Sequence, residues 1–62
     1  MKTIKTQIGG RCVVTREDPR DIRYCRSFLI AHNGTILDQD GPWGNLMAKE
    51  KHAEMVKRNT SF

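Results

Sequence analysis

The pair Asn33-Gly34 limits the folds open to this chain more than any other feature. Phe28-Leu29-Ile30-Ala31-His32 precedes it and Thr35-Ile36-Leu37-Asp38 follows it. Asn-Gly is the preferred pair for a two-residue type I′ turn, because both central positions need positive φ and these residues reach it at least cost. The stretch therefore predicts a β-hairpin. With a tight turn, Ala31 stands opposite Ile36 and Ile30 opposite Leu37. Side chains alternate across a strand, which puts Tyr24, Phe28, Ile30 and Leu37 on one face and Cys25, Leu29, Ala31 and Ile36 on the other. Both faces are apolar near the turn, so a lone hairpin would leave one of them in water.

The rest of the chain supplies what could cover it. Residues 11–16 read as a strand on the strength of Val13, Val14 and Thr15, and the Gly9-Gly10 pair precedes them. Residues 17–21 read as a turn, since Pro19 presets φ and the Asp side chains can bond nearby backbone. Residues 22–32 then form the middle strand. Residues 3–8 alternate weakly and fit either an extra edge strand or a continuation across a Gly9-Gly10 bulge. Residues 46–58 contain no Gly, Pro or Thr, and Asn45 suits the N-cap of a helix. At about 100° per residue, Glu50, Lys51, Glu54, Lys57 and Arg58 gather on one side of that helix. Leu46, Ala48, His52, Ala53, Met55 and Val56 gather on the other.

The predicted fold is α+β: a small three-stranded antiparallel sheet, with a possible extra N-terminal strand, followed by one C-terminal α-helix packed on one face. It is a single domain over residues 1–62, with frayed ends at 1–9 and 59–62. A chain of 62 residues buries only about 60% of its unfolded surface, and one core of that size supplies roughly 3–5 kcal/mol. One helix covers one face. The sequence assigns it to Tyr24, Phe28 and Ile30, leaving Leu29, Ala31 and Ile36 as an apolar docking or dimer face. Residues 38–44, Asp-Gln-Asp-Gly-Pro-Trp-Gly, are read as the hinge into the helix. Trp43 is their structural plug, in the seam between Leu46 or Met47 and the Tyr24, Phe28 and Ile30 side. The competing reading is a loop that presents its aromatic to a partner.

Several chemistries can be set aside. Cys12, Cys25, His32 and His52 form a nominal zinc set, but the cysteines stand thirteen positions apart and the histidines twenty. Structural zinc sites bring ligands in close pairs, because a short turn fixes two at once. The cysteines are read as free thiols packing across strands, and His52 as a histidine at the core edge. Asp38 and Asp40 are better explained by turn-making and by the helix N-terminus than as paired catalytic carboxylates. Asn33-Gly34-Thr35 matches a glycosylation acceptor but serves as the turn. Gly9-Gly10 lacks the Lys-Ser/Thr of a phosphate loop. The expectation is a non-enzymatic protein with no catalytic residue, metal or cofactor. Residues 1–7 are polar, without a signal-like apolar stretch, and no apolar run approaches the ~18–20 residues of a membrane span. That predicts a cytoplasmic protein without membrane contact.

What remains is charge. The formal net charge is +4, and all of the excess lies in residues 1–31, mostly as arginine. Arg11, Arg16, Arg20, Arg23 and Arg26 fall within one hairpin, and the planar guanidinium suits bidentate contact with carboxylate or phosphate. Glu17, Asp18 and Asp21 are interleaved with them, as in a turn that simply neutralises itself. Two functional readings follow. One is a protein-binding module, of the kind phage and mobile-element regulators or inhibitors use, docking on a larger host complex through the arginines and the uncovered apolar face. The alternative is a small basic nucleic-acid-binding protein that grips the DNA or RNA backbone through residues 11–26. A homodimer could also cover the apolar face.

Overall fold

The computed structural model describes residues 2–60 and contains one sheet and one α-helix. The strands are β1 (Ile4–Ile8), β2 (Arg11–Asp18), β3 (Asp21–Ala31) and β4 (Ile36–Gly44). A single 3-10 turn (Asn45–Met47) leads into α1 (Ala48–Thr60). All strand pairings are antiparallel and join chain neighbours, in the order β1-β2-β3-β4. The fold is thus α+β, with four strands rather than three. The weak alternation of Ile4, Thr6 and Ile8 is a true strand because it finds a partner: Ile4 faces Thr15, Thr6 faces Val13 and Ile8 faces Arg11.

The Asn33-Gly34 hairpin forms, but with a different turn. The Gly34 N–H donates to the Ala31 carbonyl at 2.9 Å, and the Ala31 N–H donates to the Thr35 carbonyl at 2.8 Å. The loop therefore holds three residues, His32, Asn33 and Gly34. Gly34 has φ 91°, while Asn33 keeps negative φ, so the type I′ pair is replaced by a three-residue loop closing on a left-handed glycine. Ile30 consequently faces Ile36 instead of Leu37. A bulge then sets Leu37 aside and Leu29 faces Asp38. Each slip of one residue exchanges the two faces of a strand.

The helix covers the face opposite to the one expected. Val13, Leu29 and Met55 form the buried cluster, with Ile8 and Val56 packed against it. Full burial of each such side chain stabilises the fold by about 1.5–3 kcal/mol. Leu29 is only 4% exposed and lies under the helix, so it is not part of a free apolar face. The fourth strand explains the choice. Ile4, Thr6 and Ile8 stand in register with Thr15, Val13 and Arg11, and add apolar area on the side that also carries Cys25, Ser27 and Leu29. These side chains are mostly small or branched near the backbone, which lets a helix approach closely.

The helix buries Ala48, His52 and Met55 at the spacing of one helical stripe. Ala53, placed by sequence on the apolar side, is exposed, and Leu46 stands fully in solvent on the 3-10 turn. Asn45 is not a cap. Gly44 holds the N-cap position of the 3-10 turn, and the Asn45 Nδ2 donates to the Ile22 carbonyl at 3.0 Å. At the other end, the Asn59 Nδ2 donates to the Met55 carbonyl at 2.8 Å and the Thr60 hydroxyl to the Val56 carbonyl at 2.9 Å. Residues 59 and 60, placed by sequence in the tail, thus continue the helix, while Ser61 and Phe62 lie outside the described residues.

Residues 38–44 belong to β4 and are not a hinge. Asp40 faces Ser27 and Trp43 faces Cys25, and between them Gly41 bulges out at φ 118° with a cis peptide bond to Pro42. The reversal into the helix is made afterwards, at Asn45–Met47. Among the described residues, no helix is long and apolar enough to cross a membrane.

The layer between sheet and helix is partly polar. His52 Nδ1 lies 2.8 Å from the Thr15 hydroxyl, His52 Nε2 lies 2.8 Å from the Thr6 hydroxyl, and Thr15 in turn bonds Ser27 at 2.7 Å. Both ring nitrogens are therefore satisfied by neutral hydroxyls, as a buried polar group requires. Burial without a carboxylate partner lowers the His52 pKa.

Candidate binding surface

The sheet face turned away from the helix is where the arginines matter. Arg16 and Arg26 are cross-strand neighbours in the β2–β3 register. Together with Arg20, Asp18, Pro19, Phe28, Ile36 and Gln39 they line an open depression of about 480 Å³. Val14 and Phe28 face each other in this register and are only 7% and 5% exposed, although no helix lies over them. Part of the cover is Arg16, whose guanidinium sits 4.7 Å from the centroid of the Phe28 ring. A cation over an aromatic face is held by the ring quadrupole, so Arg16 is both an anchor and a lid for Phe28.

Asp18 organises the other two arginines. Its carboxylate is buried and accepts the Arg20 backbone N–H at 3.0 Å and the Arg26 Nε at 3.3 Å. The Arg26 Nη1 also donates to the Gly41 carbonyl at 3.4 Å. Arg26 is thereby fixed while most of its N–H donors have no partner among the described residues. The Arg20 side chain is exposed and has no acidic partner among the described residues.

The other two arginines lie elsewhere. Arg23 is clasped by Asp21, with Nε donating to Oδ1 at 3.0 Å and Nη2 to Oδ2 at 2.7 Å. This pairing pulls the Asp21 pKa down to about 2 and raises that of Arg23. Arg11 faces Ala31 at the far end of β2 and borders a separate cleft with Ile8, Gly9, Gly10, His32 and Asn59. The five arginines are thus not one patch: three converge and two do not.

The expected apolar set divides as well. Leu29 is in the core, Ala31 is half-buried, and Ile36 is 45% exposed beside Ile30 at the rim of the open face. Trp43 is half-buried opposite Cys25, with the Lys51 Nζ 4.6 Å from its ring centroid. It lies on the helix side and not against Phe28 and Ile30. The nominal zinc residues are dispersed: Cys12 faces Ile30, His32 is in the hairpin loop, Cys25 is buried on β3, and His52 is on the buried side of the helix. Among the described residues, no group of three or more His, Cys, Asp or Glu side chains could hold a metal ion.

Carboxylates gather on the helix side, interspersed with its lysines and Arg58. Asp38 and Asp40 both reach Arg58 of the helix, at 3.1 and 2.6 Å, which raises the Arg58 pKa chiefly through the Asp40 contact. Glu50 and Glu54 are on α1. The open depression holds one carboxylate, Asp18, and that one is buried and bonded. Sequence reasoning named the arginines but missed Phe28 as their platform and Asp18 as their organiser. The available signal for Asp18 was local: an Asp two residues ahead of a free backbone N–H makes an Asx turn. The chain matches no family model, no curated protein and no solved structure in the three comparisons.

Proposed function

We propose that this chain is a non-enzymatic binding module that docks on an acidic surface of a larger protein through the open sheet face, and regulates or inhibits that partner by occupying it. The observation that carries this reading is the convergence of Arg16, Arg20 and Arg26 around Phe28, next to exposed Ile36, in a depression whose one carboxylate among the described residues, Asp18, is buried and bonded. Interface centres are enriched in arginine and aromatics and depleted in Lys, Glu and Asp. Arginine also keeps its charge while lying on apolar surface, which lysine does less readily. The net positive charge would speed encounter with an acidic partner.

A second reading keeps the same cations but gives them to nucleic-acid phosphates. It is favoured by Lys5, which flanks Val14 on β1 and extends the basic surface outward. The two readings separate in one experiment. The protein is immobilised, and a lysate of its source cells is passed over wild type, Arg16→Ala/Arg20→Ala and Ile36→Asp in nuclease-treated and untreated halves. The docking module retains a discrete protein after nuclease treatment and loses it in both variants. Retention that vanishes with nuclease, and is indifferent to Ile36→Asp, would transfer the function to nucleic acid.

A further inference from the structure

The open face is polarised along its length, and that polarity specifies a ligand. At one end, beside the β2–β3 turn, stand Arg16, Arg20 and Arg26. Toward the other, beside the β3–β4 loop, stand Ile30 and Ile36, paired across the strands, with Ile36 reaching the edge of the depression that holds the arginines. Arg26 and Ile30 are four positions apart on β3, which at a rise of ~3.3 Å per residue is about 13 Å. Phe28 lies between them, roofed by Arg16.

We infer that this face recognises one protein segment carrying a carboxylate at one end and an apolar side chain about 13 Å away. The inference rests on the docking reading and deepens it. The basic end supplies two fixed guanidinium groups, one tied by Asp18 and one stacked on Phe28, with Arg20 free to close over a bound oxyanion. Two planar forks at a fixed separation match the paired oxygens of a carboxylate. Ile30 and Ile36 themselves supply no charge. A nucleic-acid strand carries a phosphate at every step, about 3.4 Å apart along a duplex axis, so the same length of backbone would leave charges over Ile30 and Ile36 without a partner. An acidic residue four positions from an apolar one in an extended segment matches both ends.

The test is selection of random peptides displayed on phage against the immobilised full chain, followed by fluorescence anisotropy with the selected peptides. Selection is expected to enrich Asp or Glu at a fixed spacing from Leu, Ile, Met or Phe. That spacing is about four residues if extended, or about nine if helical, at ~1.5 Å per residue. Arg20→Ala should weaken a selected peptide about tenfold, the worth of one charge-assisted contact. Ile36→Asp should weaken it at least as much, with unchanged urea melts for both, because both side chains are exposed and the Arg20 backbone bond survives the substitution. Apolar peptides without an acid, still sensitive to Ile36→Asp, would overturn the carboxylate assignment and leave docking standing. Peptides insensitive to both variants, or no enrichment, would overturn both. Preferred binding of duplex DNA over every selected peptide would also overturn the inference.

Discussion

Replacement of Gly41 by alanine should nearly unfold this protein, while the same change at Gly44 should be silent. Gly41 sits in β4 at φ 118°, a region that L side chains rarely adopt, and persistence there costs about 1–3 kcal/mol. The new methyl would also meet the neighbouring strand: 2.9 Å from the Cys25 carbonyl oxygen, 3.1 Å from the Arg26 Cγ and 3.3 Å from the Arg26 Cα. Two of these are main-chain atoms of β3, so relief requires that strand to move, at a further ~1–3 kcal/mol. The sum is comparable to the roughly 3–5 kcal/mol that one core of this size supplies. Gly44, by contrast, has φ −59° and ψ 144° and open space where a Cβ would go. Urea unfolding followed by Trp43 fluorescence and far-ultraviolet circular dichroism reads the difference. With a slope near 1 kcal/mol per molar urea, the Gly41→Ala midpoint should fall by about 2 M or more. Gly44→Ala should leave it unchanged or raise it slightly, by restricting the unfolded chain. Equal midpoints for the two variants would refute the reasoning, because they would mean that β4 passes β3 without the close approach.

The remaining expectations concern acid, the choice of face and thiols. The His52 pKa is lowered on folding, so its stability contribution is complete above the unfolded value near 6.5 and is lost as pH falls below it; the urea midpoint should decline there, and His52→Gln should remove that decline. Asp21, lowered to about 2, contributes in a separate window, present above ~4 and lost toward pH 2, which Arg23→Ala should abolish. Leu29→Ala should cost about 2–5 kcal/mol by leaving a cavity beneath Met55, whereas Ile36→Ala should cost well under 1 kcal/mol. A thiol reagent should label half-buried Cys12 in the native protein and reach Cys25 only on unfolding, because burial both hides that sulfur and raises its pKa.

The hairpin, the helix and their order along the chain were legible because each rests on local chemistry: Asn-Gly between apolar runs, and a stretch free of Gly and Pro. The covered face was not. Phe28 and Leu29 are adjacent and both apolar, so burial of either is consistent with the pattern. The phase between β3 and β4 depends on a three-residue loop and a bulge that leave no unambiguous residue signature. Thr6 and Thr15 read simply as strand residues, and nothing near them in the chain announces His52 as their partner. For the same reason the arginine cluster was half legible. Charge type could be counted, but which arginines converge depended on the β2–β3 register and on how Asp18 is buried.

The bond between Thr6 and His52 joins residues 46 positions apart. Every strand pairing, by contrast, is made between neighbours in the chain, so the sheet can assemble progressively as a nascent polypeptide lengthens, each new strand adding to the last. The helix contributes nothing until its own residues have left the ribosome. Until then Val13 and Leu29 are a bare apolar surface, and the Thr6 and Thr15 hydroxyls lack the imidazole between them. The interval between finishing the sheet and docking the helix is therefore when its apolar surface is most open to aggregation.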